Sequence, residues 1–151
     1  MNTSLFGTAI LGSMLIVALP PGDVQARGAF KVLHHFAGGS SDGAGPFGGV
    51  APAGGGSFYV ATDGGGSSNR GTLSLLHKNG TIQILHTFTG ALDGQNADGT
   101  PLVDSDGSVD GTTQFGGKSG CGTTYQYVPS SGTYQQLHAY ECGEDGAFPY
   151  A

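Results

Sequence analysis

The chain has 151 residues, enough for one modest domain, and 30 of them are glycine without a three-residue collagen period. Only 11% of residues are charged, the formal net charge is −6, and the five basic residues are scattered (Arg27, Lys31, Arg70, Lys78, Lys118). With no basic patch to neutralise phosphates, nucleic acid and anionic lipid are not expected partners.

The N-terminal stretch Leu5–Leu19 is apolar, interrupted only by small polar residues and glycine, and Pro20-Pro21-Gly22 and Val24-Gln25-Ala26 come after it. A short apolar core, a helix-breaking Pro pair and small residues predict a secretory signal over residues 1–26, cleaved before Arg27, although no Lys or Arg precedes the core. Spanning a bilayer takes about 20 apolar residues. No membrane span is therefore expected once the signal is removed. The mature chain, residues 27–151, is predicted to be secreted or held at the cell envelope. Cys121 and Cys142 are the only cysteines, so in an oxidising compartment they form a candidate disulfide. Two free thiols are the alternative.

Past the signal, Ala29–Phe36 alternates and predicts a strand. Further strands are predicted over Ser57–Thr62, Gly71–His77 and Thr81–Phe88, with Gly-rich turns between them. Lys78-Asn79-Gly80 predicts a hairpin turn of type I′, since Asn-Gly tolerates the positive φ that this turn needs.

One motif then recurs. Leu33-His34-His35-Phe36, Leu85-His86-Thr87-Phe88 and Leu137-His138-Ala139-Tyr140 start at a spacing of 52 residues. Each is followed by Asp-Gly, at Asp42-Gly43, Asp93-Gly94 and Asp145-Gly146. Units fall at about 29–80 and 81–132, with a partial unit at 133–151, about 2.4 periods in all. Four short strands in about 50 residues is the size of a β-propeller blade. The fold class is therefore all-β, an incomplete array of antiparallel, blade-like repeats. A propeller needs at least about four blades to close. Self-association to complete the stack, or a truncated remnant without activity, is accordingly also expected.

At these residues the chain resembles the GloVer-type tandem repeat of extracellular bacterial proteins. Leu85-His86-Thr87-Phe88, Asp93-Gly94, Pro101, Asp106-Gly107, Gly111-Thr112-Thr113, Gly116-Gly117 and Gly122-Thr123-Thr124-Tyr125 carry the pattern. The resemblance implies an exported, β-propeller-like architecture and no set of catalytic residues. Two departures stand out: Asp110 occupies the place of an aromatic that Tyr59 keeps, and Ser74 occupies the place that Tyr125 keeps.

Catalytic and metal motifs do not accumulate. His34, His86 and His138 would bind a metal only by converging across units; as strand residues they are expected to pack beside Phe36, Phe88 and Tyr140. Asp104-Ser105-Asp106-Gly107 has its Gly too early for an EF-hand loop and reads as a turn. Asp93 with Asp98, or Glu141 with Glu144 and Asp145, would suit a glycosidase pair only at the right separation, which loop spacing does not set. No G-x-S-x-G or P-loop is present. The expectation is a non-catalytic extracellular binding or interaction module, without a cofactor, whose loop aromatics Phe47, Phe148 and Tyr150 would stack on glycan. The alternative is a carbohydrate-active enzyme fragment using loop carboxylates.

Overall fold

The computed structural model describes residues 30–150. The proposed signal over residues 1–26 therefore lies outside the described residues. Among the described residues ten strands and one short 3₁₀ turn make up the regular structure: β1 (Gly43–Ala44), β2 (Val50–Gly54), β3 (Ser57–Thr62), β4 (Gly64–Gly65), β5 (Thr72–Leu76), β6 (Ile82–Thr87), β7 (Leu102–Val103), β8 (Val109–Thr113), β9 (Thr123–Val128), β10 (Thr133–Ala139) and the turn Gly143–Asp145. No helix among the described residues is long and apolar enough to cross a membrane.

The strands form two four-stranded antiparallel sheets, β2-β3-β5-β6 and β7-β8-β9-β10, each a meander, with β1 and β4 paired beside them. The protein is thus all-β and built of incomplete, blade-like repeats. Neither sheet closes on itself.

The Leu-His-x-aromatic motif closes each sheet as its fourth strand. Leu85 and His86 lie in β6, and Leu137 and His138 lie in β10. In both sheets the Leu is a bulge. Ser74 pairs with Ile84 and Leu73 with His86, which leaves Leu85 extra; Tyr125 pairs with Gln136 and Thr124 with His138, which leaves Leu137 extra. An extra residue reverses the inward and outward alternation and re-aims the side chains beyond it. The earlier copy differs: residues 30–36 form no strand. His34 of this copy instead reaches the turn between β5 and β6, with Nδ1 3.1 Å from the Gly80 carbonyl.

The predicted hairpin at Lys78-Asn79-Gly80 exists, but its turn differs from type I′. Gly80 alone takes a positive φ, 93°, and donates its N–H to the His77 carbonyl at 2.8 Å. Asn79 instead accepts the Thr81 N–H at 3.0 Å and its hydroxyl at 2.8 Å through Oδ1. That side-chain bond secures the type I arrangement with a left-handed glycine after it. The same type of turn recurs at a different place, between β7 and β8, with Asp106 accepting from Ser108 and Gly107 at φ 85°.

The core lies between the two sheets. Tyr59, Ala61 and Leu73 of the first sheet join Val109, Tyr125 and Tyr127 of the second, with Phe88 fully buried among them. Beneath the sheet ends two buried hydroxyl pairs repeat: Thr62 with Thr72 and Thr113 with Thr123, both at 2.9 Å. The Thr72 and Thr123 N–H groups donate to the same Thr62 and Thr113 oxygens, so each buried hydroxyl is satisfied.

Gly65 shows where the repeat cannot carry a side chain. Its φ is +81°, and a Cβ there would overlap the carbonyl oxygen of Asp42. Gly107, at φ +85°, faces open space. Gly107→Ala is therefore expected to cost only the conformational strain, roughly 1–2 kcal/mol. Gly65→Ala is expected to cost clearly more, because backbone must also move. Urea denaturation of the two variants checks the ordering.

Candidate functional site

The recurring His and Asp residues meet in all three copies. His34 Nε2–H donates to Asp42 at 3.1 Å, His86 to Asp93 at 3.1 Å and His138 to Asp145 at 3.0 Å. The same carboxylates accept backbone N–H groups from Ala37 at 2.8 Å, Thr89 at 3.0 Å and Glu141 at 2.8 Å. Each Asp thus ties its loop back to the strand from which the loop departs. Each His also meets the aromatic two residues on in an edge-to-face contact: Phe36 at 4.8 Å, Phe88 at 4.9 Å and Tyr140 at 4.9 Å between ring centres. In the sequence the His and the Asp read as separate features. Their near-constant separation, from 34 to 42, 86 to 93 and 138 to 145, is the signal that links them.

His86 has an additional role. Its ring stacks on Tyr134 of the second sheet at 3.9 Å and 9° between planes. Tyr134 donates its hydroxyl to the Asp93 carbonyl at 2.7 Å. Phe88 lies 5.2 Å from Tyr125, which stacks on Tyr134 at 5.5 Å. The middle copy of the motif is therefore the hinge pin between the sheets. Burial holds the His86 imidazole below its ordinary value of 6.5, and the Asp93 carboxylate only partly offsets this. For Asp42, burial acts upward, but the Ala37 N–H, His34 and the Gly43 N–H together keep the carboxyl below its ordinary value.

The carboxylates considered for catalysis are dispersed by these bonds. Asp93 is committed to His86 and Thr89 and does not pair with Asp98. Asp106 accepts from Ser108 inside its turn. Asp145 is held by His138 and the Glu141 N–H. Among the described residues no group of three or more His, Cys, Asp or Glu converges as metal ligands would. Cys121 and Cys142 have Cα atoms 5.6 Å apart and are joined as a disulfide. It ties the loop after β10 to the loop that leads into β9.

Sequence reasoning missed one acidic pair. Asp98, 7% exposed, shares a hydrogen bond with Asp63, the residue just after β3. Asn96 donates Nδ2–H to the Asp63 carboxylate at 2.6 Å. Burial, then the nearby Asp63 charge, pushes the Asp98 carboxyl up to about 6. One Asp98 oxygen, Oδ1, has no hydrogen-bond partner. Two carboxyl groups in hydrogen-bond contact sit closer than the roughly 5 Å or more that glycosidase pairs need. The pair sets a half-buried and a buried carboxyl side by side where the two repeat units meet.

The raised Asp98 value means that its contribution to stability is complete below pH 3.8 and is lost as pH rises through about 6. Asp98→Asn keeps a neutral side chain at every pH. The variant is expected to be more stable than the wild type at neutral pH, by on the order of 1–3 kcal/mol. The difference should close in acid. Thermal melts of both proteins across this range check it, and the comparison cancels the opposite trend from His86, whose protonation below 6.5 opposes folding.

The Gloeobacter/Verrucomicrobia repeat matches residues 17–151, from before the first Leu-His motif to the last residue. No curated protein matches the chain.

Proposed function

We propose a function from one premise: the chain belongs to the Gloeobacter/Verrucomicrobia repeat family. On that premise the protein is an exported, non-catalytic binding module. The observation that carries this reading is the use of the recurrent polar groups. All three His–Asp pairs are spent on closing loops, and each carboxylate is also bonded to backbone. What is left for a ligand is the two-sheet body and its exposed loops. Phe47 and Tyr150 are 76% and 68% exposed, open for stacking on a sugar ring. Phe148 is partly engaged, 5.3 Å from Phe115. Support for export comes from the apolar N-terminal stretch and from the Cys121–Cys142 pairing, which suits an oxidising compartment.

Binding is tested by affinity electrophoresis of the full chain through a panel of polysaccharides. Retardation by at least one glycan is expected, and Phe47→Ala with Tyr150→Ala should weaken it. Hydrolysis of a panel member that Asp93→Asn or Asp98→Asn abolishes would instead make the protein an enzyme. Export is tested by expressing the chain with its N-terminal stretch intact. The protein should appear outside the cytoplasm without free thiols. Its reduction should lower stability by roughly 3 kcal/mol, the chain-entropy value for a loop of about this length.

A further inference from the structure

The two sheets can be compared residue for residue, because β3 and β5 recur as β8 and β9 at an offset of 51. The first sheet turns one face to the second sheet. On it, Tyr59 pairs across the strands with Leu75, and Ala61 with Leu73. Tyr59, Ala61 and Leu73 are buried in the shared core, with Leu75 packed against it.

The equivalent face of the second sheet points away from that core. At the same positions it pairs Asp110 with Gln126, and Thr112 with Thr124. Four apolar side chains have become four polar ones on this face, against one on the other, where Gln136 beside Tyr125 stands for Ile84 beside Ser74. The opposite face of the second sheet keeps Val109, Tyr125 and Tyr127, all buried. Among the apolar residues on the outer face, Leu102 and Leu137 are 62% and 48% exposed. Between the strands lies an open depression of about 290 Å³ lined by Thr100, Leu102, Asp110, Gly111, Thr112 and Thr124. Asp110 is already raised by burial, and its Oδ1 has no hydrogen-bond partner. Laying another apolar sheet over it would bury a carboxylate with nothing to compensate its charge.

We infer that the outer face of the second sheet is a water-facing end of the repeat stack, which rejects a further blade of the same kind, including one from a second copy of this chain. In stacked-repeat proteins, an end unit that stays soluble carries a polar outer face. Ring completion between chains through this face is therefore excluded by its chemistry.

The test is the mass of the full chain in solution by light scattering after size exclusion, with two variants. Asp110→Lys with Gln126→Lys should leave the mass unchanged; the pair sets two like charges opposite each other and removes the Gln126 to Ser108 hydrogen bond, so mass and not melting temperature is the readout. Asp110→Tyr, Thr124→Leu and Gln126→Leu together restore the chemistry of the first sheet and should produce concentration-dependent self-association. A wild-type oligomer that the Lys pair dissolves would overturn the inference. So would a folded triple variant as monomeric as the wild type. A wild-type oligomer that the Lys pair leaves intact uses another face and upholds it.

Discussion

The stacking of His86 on Tyr134 depends on a bond that neither ring makes to the other. Asp93 holds the imidazole edge at 3.1 Å, and its carbonyl takes the Tyr134 hydroxyl at 2.7 Å. One residue thereby aims both rings. Phe88, two positions further along, is carried into the core by the same turn of chain and meets Tyr125. A lone sheet of this size has an apolar face that it cannot cover by itself. The middle Leu-His-x-Phe motif supplies the cover and locks its orientation. The bulge at Leu85 sets this in motion by displacing the register before His86.

Repetition explains why the same polar bonds serve three settings of different burial. The His34 and His86 pairs are shielded, whereas the His138 pair is exposed at 48% and 38% of its two side chains. Geometry survives the change of environment because the backbone N–H to each carboxylate fixes the loop independently of the imidazole. Exposed ion pairs add little to stability, about 0–1 kcal/mol. The outermost copy therefore relies on other restraint, and the Cys121–Cys142 bond lies in the loop that it closes.

Much of this organisation is legible in the residues. Alternation marks the strands at Ser57–Thr62 and Thr81–Phe88, and the 52-residue period marks the blade-like unit. Pairing is not legible, because the period of a motif does not say on which side its partner strand lies. For that reason residues 30–36 read as a strand and are not one. The turn at Asn79 departs from its expected type because its side chain bonds to Thr81, a choice that Asn-Gly as a dipeptide leaves open. The Asp63–Asp98 contact joins residues of different units and has no local signature at all.

The three loops closed by the His–Asp pairs share their ends and nothing else. Between the aromatic and the Asp they read Ala37-Gly38-Gly39-Ser40-Ser41, Thr89-Gly90-Ala91-Leu92 and Glu141-Cys142-Gly143-Glu144. One is a residue longer than the others, yet all three carboxylates accept from their His and from the first loop N–H. The anchor thus tolerates changes of content and of length. A scaffold with that property separates the residues that maintain it from those it displays, so new loop sequences can be tried without renegotiating the fold.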